Sequence, residues 1–219
     1  MPGESDLQPS VTRHASSAPA TGGPPRFQFR VWGDVGEAAG RLRSLGAPHR
    51  VEHRRDIYLL GTRSHHNVKV RAQRLEISEL LGIVDGFEQW NRAAIHRLPC
   101  TTGDVRRSLR EVAGFDGIDE LTDPVDERLG RRRLLDTASR CGLLPVAVAK
   151  HRERFVLGAL RAEVTTMVLA DGGMELACVA FEGPEPASLV ALRGLLGLEQ
   201  ARNMAVPVAL EQALRTHAA

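Results

Sequence analysis

The clearest signal of the fold lies in residues 146–155, Val146-Ala147-Val148-Ala149-Lys150-His151-Arg152-Glu153-Arg154-Phe155. Successive side chains of an extended chain point to opposite sides, so Lys150, Arg152 and Arg154 share one face. The stretch therefore predicts a β-strand with a row of cations along one side.

Similar alternation recurs along the chain. Residues 26–32 predict a strand with Arg26, Gln28 and Arg30 on one face and apolar side chains on the other. Further strands are predicted over residues 49–61, 67–71, 74–79, 162–169 and 175–182, and residues 82–90 are predicted to continue the antiparallel succession with Asp85-Gly86 as a bend or bulge. Charged positions on these strands include Lys69, Arg71, Glu76, Glu88, Glu163 and Glu182.

Helices interrupt and follow these strands. They are predicted over residues 34–45, over about 102–110, over about 123–140 with Leu129 in the apolar pattern, and over 186–197 and 207–217. About eight strands in mostly antiparallel succession, with helices between and after them, indicate an α+β fold rather than alternating βαβ units. We expect one domain over residues 26–219, with a helical insertion at about 101–141. Residues 1–25, rich in Pro, Ser, Ala, Thr and Gly, predict a disordered tail.

Composition narrows the function. The chain has 219 residues and a formal net charge of +2, too close to balance for a typical nucleic-acid binder. No apolar run approaches the roughly 18 residues of a membrane-spanning helix. The 3 cysteines are widely separated, which favours buried thiols in a reducing compartment. We therefore expect a cytoplasmic protein with neither nucleic acid nor membrane as a partner.

The alternation leaves two arrangements open. An open antiparallel sheet with one solvated charged face is the commoner arrangement. A closed barrel with helices outside would instead direct the charged faces into its lumen, where cations need an anion or carboxylates to offset them. The residues that would line such a lumen are Arg26, Arg30, Lys69, Arg71, Lys150, Arg152, Arg154, Glu163 and Glu182.

Several segments together resemble the CYTH domain, the fold of the triphosphate tunnel metalloenzymes. Residues 144–154 resemble the family's basic strand after a helix, and residues 162–186 resemble its C-terminal hairpin and following helix. In the first half, residues 56–59 resemble its Asp-x-Tyr strand and residues 68–71 its Leu-Arg-x-Arg strand. The resemblance covers roughly residues 26–200. It implies an antiparallel eight-stranded tunnel-like β-barrel with flanking and inserted helices.

The first strand departs from the family's pattern. The CYTH signature there is Glu-x-Glu-x-Lys, in which the glutamates bind a divalent metal and the lysine contacts phosphate. Here Arg26 and Gln28 stand at the two glutamate positions, and Arg30 keeps the terminal cation. Ser78 stands where the family often has a lysine. The resemblance therefore implies a divergent member that lacks the usual metal site.

The resemblance implies a phosphorylated anion (a triphosphate, nucleotide or polyphosphate) bound in a basic tunnel, with phosphohydrolase activity weakened or absent. The implied phosphate-binding residues are Arg30, Lys69, Arg71, Lys150, Arg152 and Arg154. Glu163 and Glu182 would hold a residual Mg²⁺ or Mn²⁺ through bound phosphate, or would pair with arginines.

Two alternatives remain. The first is an active metal-dependent triphosphatase or adenylate cyclase with a relocated metal site, whose candidate ligands are Glu76, Glu88, Glu163 and Glu182. The second is a non-catalytic interaction module whose lumen is filled by arginine–glutamate pairs and needs no ligand.

Overall fold

The computed structural model describes residues 24–61, 66–112, 115, 124–125, 127–170 and 173–218. The strands are β1 (Arg26–Trp32), β2 (Arg50–Leu60), β3 (His66–Arg71), β4 (Arg74–Val84), β5 (Phe87–Arg97), β6 (Cys100–Thr101), β7 (Arg128–Leu129), β8 (Leu144–Leu157), β9 (Leu160–Leu169) and β10 (Glu175–Gly183). The helices are α1 (Gly36–Ser44), α2 (Thr102–Arg107), a π-helix (Ser108–Val112), α3 (Arg131–Arg140), α4 (Pro186–Leu195) and α5 (Val206–Ala218). Nearly all of the predicted N-terminal tail lies outside the described residues.

Eight strands form a closed antiparallel barrel in the order β1-β10-β9-β8-β2-β3-β4-β5. The barrel closes because β1 pairs with β10 along one edge and with β5 along the other. The open sheet is therefore wrong for this chain, and the predicted α+β tunnel-like barrel is confirmed. Closure pairs both outermost strands of the sheet, over residues 26–28 of β1 on the β5 side, and sends alternate side chains of each strand into the lumen.

The structure refines one local prediction and corrects another. The bend or bulge predicted at Asp85-Gly86 is a full hairpin turn, because the two residues adopt φ of 52° and 80° and turn β4 back into β5. Two adjacent residues of positive φ are the mark of a tight hairpin turn, which Asp-Gly favours. The predicted helix through Leu129 begins only at Arg131, because Leu129 pairs with Cys100 in the short β6–β7 ladder.

Helices cover the apolar outer faces of the barrel. Outward side chains of β1, β9 and β10, with Phe29 and Phe181 at the centre, pack under α1 and α4. Those of β3 and β4, with Leu75 and Ile77 fully buried, pack under α2, the π-helix and α3. Because the outer faces bury enough apolar surface to stabilise the barrel, the inward-facing positions need not be apolar and can carry charged side chains.

The helix α5 packs at one end of the barrel. Its Val206 and Leu210 join a buried cluster with inward-facing side chains from the ends of β2, β8 and β9, which include Leu60 and Leu169. None of the helices in the described part of the chain is long and apolar enough to span a membrane.

Candidate functional site

The six basic residues predicted for the site converge in the lumen. Their ion pairs and strand registers place Arg30, Lys69, Arg71, Lys150, Arg152 and Arg154 on the inner faces of β1, β3 and β8. The cations come from distant parts of the sequence because the barrel brings β1, β3 and β8 around one axis.

Sequence reasoning missed the contribution of β2. Glu52, Arg54, Asp56 and Tyr58 alternate along this strand and face the lumen opposite the basic residues of β8. The signal was present, since the period of two runs through the strand, but only Asp56 and Tyr58 had been singled out, for their resemblance to the family. The β2 acids offset the cations of β8 across the ladder.

Glu163 lies between two arginines in the middle of the lumen. One of its oxygens is 3.1 Å from Arg30 Nη1, and the other accepts a short hydrogen bond from Arg152 Nη2. Arg152 Nη1 also contacts Glu52 Oε1 at 2.7 Å. Burial and the nearby Arg54 lower the pKa of Arg152 to about 10, so this guanidinium is still charged at neutral pH. Glu163 thus occupies the kind of position that a phosphate oxygen would take.

The most enclosed charges surround Asp56, which is completely buried. Its carboxylate is 2.9 Å from Arg71 Nε and 3.4 Å from Lys150 Nζ. Burial alone would raise the pKa of Asp56, but Lys150, Arg71 and Arg54 lower it to about 2. The carboxylate is therefore ionised at all physiological pH values.

Lys150 and Lys69 are the deep ammonium groups. Lys150 Nζ donates to the Tyr58 hydroxyl at 2.5 Å, and burial lowers the pKa of Lys150 to about 7 although Asp56 opposes the shift. Burial lowers the pKa of Lys69 to about 8, and its Nζ is 3.7 Å from Glu76 Oε2. Both lysines exchange protons near neutral pH, so an arriving anion would favour their charged forms.

The opposite end of the lumen opens to solvent. There Glu182 contacts Arg26 at 3.3 Å and Arg161 at 3.7 Å, and Gln28 Nε2 lies 3.5 Å from the same carboxylate. Arg154 borders a cavity of about 70 Å³ at this mouth and makes no ion pair with any carboxylate that the structure describes. The mouth therefore presents a guanidinium without a close carboxylate among the described residues, although, against the effect of burial, Arg154 still contributes to lowering the pKa of Glu52.

Buried polar atoms without a partner occur beside the middle of the lumen. Thr165 Oγ1 and Arg152 Nε make no hydrogen bond, although Thr165 is 1% exposed and Arg152 9%. The two residues are direct neighbours across the β8–β9 ladder. Buried donors are normally satisfied, so this pair is a place where a ligand oxygen would be stabilised.

The acids in the lumen are engaged by cations or by other donors. Glu163 and Glu182 lie on adjacent strands, but arginines contact both. Glu76 pairs with Lys69 and Arg71, and Glu88 accepts from Trp90 Nε1 at 2.9 Å. In the described part of the chain, no group of three or more His, Cys, Asp or Glu side chains could hold a metal ion. These residues do not fit a metal held by protein alone, and ligation by Glu163 and Glu182 stays a prediction.

Comparison with known proteins supports the fold. No protein-family model matches the sequence, and no curated protein matches it. The structure is similar to that of PH1012 from Pyrococcus horikoshii OT3, with 14% identity, a TM-score of 0.50, and coverage of 84% of this chain and 98% of that one.

Two further solved structures are less similar. PH1819 from Pyrococcus horikoshii OT3 is 13% identical, with coverage of 87% of this chain and 99% of that one and a TM-score of 0.46. HpAC1 from Hippeastrum, described as a candidate adenylyl cyclase with a dominant triphosphatase activity, is 11% identical, with coverage of 86% and 95% and a TM-score of 0.45. At such identities a likeness concerns the fold and not the chemistry. The closed eight-stranded barrel and its likeness to PH1012 together give this chain the tunnel fold that the CYTH resemblance predicts.

Proposed function

We propose that the chain binds a small, multiply phosphorylated anion in its tunnel, with phosphohydrolase activity weakened or absent. The observation that carries the proposal is the excess of cations over carboxylates on the inner faces of the strands. The cations are Arg26, Arg30, Arg54, Lys69, Arg71, Lys150, Arg152, Arg154 and Arg161. The carboxylates are Glu52, Asp56, Glu76, Glu88, Glu163 and Glu182.

An unbalanced set of buried cations is costly unless an anion offsets it. Arginine forks suit phosphate oxygens because they donate two parallel hydrogen bonds. The unpartnered donors of Arg152 and Thr165 add positions where such oxygens would be bound. A triphosphate, a nucleotide or a polyphosphate carries enough negative charge to offset this excess of cations.

The same geometry supports weakened catalysis. Transfer of a phosphoryl group in this superfamily relies on a metal to offset developing charge. Arg26 and Gln28 replace the two signature glutamates, and both lie against Glu182, so the local charge does not favour a divalent cation. Weak or absent turnover is part of the proposal, and so is the cytoplasmic location that the cysteines favour.

One observation favours a second candidate, the non-catalytic interaction module. Arginine–carboxylate pairs fill much of the lumen, among them Arg30 and Arg152 with Glu163 and Arg71 with Asp56. A lumen whose cations are all paired with carboxylates of the protein would need no ligand. Anion binding differs from this candidate in requiring that a phosphate displace some of these carboxylates.

Isothermal titration of the full chain with tripolyphosphate, with and without Mg²⁺ or Mn²⁺, tests the proposal. We expect binding without metal. Arg152→Ala should weaken it at least about tenfold, since a hydrogen bond to a charged group contributes about 1.5–3 kcal/mol. Arg55→Ala is the matched control, because Arg55 is exposed on the outer face of β2 beside inward-facing Arg54. Its affinity should equal that of the unmodified chain.

Other outcomes point elsewhere. Binding and release of phosphate that both require metal would support the relocated-site enzyme. No binding under either condition would support the interaction module. Equal losses in the Arg152 and Arg55 variants would place the anion outside the tunnel.

A further inference from the structure

Two histidines meet on the outside of the barrel, where β2 pairs with β8. His53 lies directly opposite His151 in the antiparallel register of these strands. Their rings stack, with 4.6 Å between the ring centroids and 14° between the ring planes. We propose that His53 and His151 together bind a divalent ion of the late first-row transition metals, Cu²⁺, Ni²⁺ or Zn²⁺.

Both histidines face away from the lumen. Their chain neighbours Arg54, Lys150 and Arg152 make ion pairs inside the barrel, and successive side chains of a strand alternate between its two faces. Both histidines are exposed, so a metal ion reaches them directly from solvent. The site is therefore separate from the tunnel and does not depend on whether an anion binds there.

The ring nitrogens of this pair are available to a ligand. Within the described residues, neither ring makes a hydrogen bond or an ion pair, and their contact is with each other. His96 differs, since its Nε2 lies 2.7 Å from Ser108 Oγ. Two neutral imidazoles stack without the repulsion that two imidazolium ions would feel, and the neutral ring is the form that binds metals.

The two strands hold the pair ready for a single ion. The β2–β8 ladder runs without a register shift over residues 50–60 and 144–154, so the backbone positions of both ligands are fixed. Chelation requires only that two exposed rings rotate about their side-chain bonds. Once one imidazole has bound the ion, the other is present at a high effective concentration, which favours a bidentate complex.

An open cavity beside the pair leaves room for the ion and its water ligands. The cavity has a volume of about 370 Å³, and the small side chain of Ala149 lies in its lining with both histidines. Thr166 also lines it, directly opposite His151 in the β8–β9 ladder. Its hydroxyl is a polar neighbour for water molecules that complete the coordination of the ion.

The charged side chains around the pair leave the imidazoles as the ligands. Glu153, two residues from His151, accepts hydrogen bonds from Arg43 at 2.8 and 3.0 Å, so its carboxylate is already engaged. Arg55, two residues from His53, is exposed and can turn away into solvent. The protein thus supplies two ligands, which agrees with the absence of larger metal-binding groups among the described residues.

The ligand type selects the class of metal. Imidazole suits Cu²⁺, Ni²⁺ and Zn²⁺, whereas Mg²⁺ and Mn²⁺ prefer oxygen ligands. Affinities for one site generally follow the order Mn²⁺, Ni²⁺, Cu²⁺ from weakest to tightest, with Zn²⁺ below Cu²⁺. We therefore expect Cu²⁺ to bind most tightly, and Mg²⁺ not to bind this pair.

Isothermal titration of the full chain with Ni²⁺ tests the inference. We expect one ion per chain. His53→Ala and His151→Ala should each weaken binding at least about tenfold, since loss of even an outer-shell partner commonly costs that much. The double variant should lose little more than either single variant, because removing one ring already destroys the chelate.

The matched control is His49→Ala. His49 is also exposed but precedes β2, outside its register with β8, so this variant should bind Ni²⁺ as the parent chain does. Electron paramagnetic resonance of the Cu²⁺ complex gives a second readout and should show two equatorial nitrogen ligands in the parent chain. Equal Tm values without metal would show that the variants fold, as expected for exposed positions.

Three results would overturn the inference. They are no binding of Ni²⁺ or Cu²⁺ by the parent chain, undiminished binding in His53→Ala or His151→Ala, and an equal loss in His49→Ala. Tripolyphosphate binding should be the same in His53→Ala as in the parent chain, because the imidazole lies outside the tunnel. Failure of the metal site would therefore leave the proposed function standing, and failure of tripolyphosphate to bind would leave the metal site standing.

Discussion

The two halves of the lumen share one barrel backbone but differ in the polarity of their inward-facing side chains. Toward the mouth, inward positions carry arginines, lysines and acids, and toward α5 they carry Val, Leu, Met and aromatic side chains. The boundary falls where Lys150 Nζ meets the Tyr58 hydroxyl and lies 4.7 Å from the centre of its ring. The comparison shows that the barrel uses one half of its interior as a core and reserves the other half for charge.

The two halves should also differ in what a substitution changes. The apolar half stabilises the fold by burying apolar side chains. Truncating one of them should therefore lower the free energy of unfolding and leave the charged side chains of the other half in place. The polar half holds cations close together, so removing an acid there should cost stability and at the same time strengthen anion binding. Four measurements test this difference between the two halves.

The largest effect is expected in the apolar half. Leu210→Ala removes a fully buried side chain from the α5 cluster and should lower the free energy of unfolding by about 3 kcal/mol. Urea denaturation measures the loss. Val190→Ala on α4 is the control, since Val190 is 52% exposed and its truncation should change stability by less than about 0.5 kcal/mol. Equal effects of the two substitutions would contradict a packed closed end.

The next effect is expected in the polar half. Asp56→Asn removes the carboxylate that faces Lys150 and Arg71 and should lower the free energy of unfolding by about 2 kcal/mol. The same variant should bind tripolyphosphate more tightly, because the cations lose an internal competitor. Titration calorimetry checks the second part, and weaker binding by this variant would show that Asp56 does not compete with the ligand.

The pH dependence of Lys150 gives a smaller effect with a defined sign. Its pKa is about 7 in the folded protein against an ordinary value of 10.5, so the unfolded chain binds more protons between these values. Stability without ligand should therefore rise with pH across this window. Affinity for tripolyphosphate should fall, by about tenfold for each pKa unit that the anion restores to Lys150.

Lys150→Met is the control for both slopes. It removes the titrating group, so the Lys150 contribution to the pH dependence of stability and of binding should disappear. Urea denaturation and titration calorimetry across pH 6.5 to 9 would measure both. Slopes unchanged from the parent chain would assign the pH dependence to other groups, such as Lys69.

The smallest effect concerns the metal site whose loss at the mouth is part of the proposed function. Arg26→Glu with Gln28→Glu would place two carboxylates beside Glu182, which now contacts both side chains. We expect the double variant to gain a stabilisation of about 1 kcal/mol in Mn²⁺ at several times its Kd, seen as a rise in Tm that the parent chain lacks. A parent chain already stabilised by Mn²⁺ would contradict the proposed loss of this site.

Much of the architecture was predictable because its signals are local. The alternation of residues 146–155 and 26–32 predicted strands β8 and β1, and the six basic residues were correctly grouped by face. The Asp85-Gly86 pair was predicted as a bend or bulge, and whether it reverses the chain depends on the pairing of β4 with β5, which the local sequence does not contain. The start of α3 was missed because the β6–β7 pairing, which removes Leu129 from the helix, depends on Cys100 far away in the chain.

Local patterns were enough to predict which residues alternate, where α1, α4 and α5 form, and that basic side chains fall on one face of several strands. Other features exist only in the folded barrel: the closed sheet, Glu163 between Arg30 and Arg152, the cover of α5 over one end, and the pKa of Lys150 near neutrality. The two groups differ in the distance along the chain over which their causes act. A period of two is written into neighbouring residues, whereas ion pairing and desolvation depend on groups such as Arg30 and Glu163 that meet only when the barrel closes.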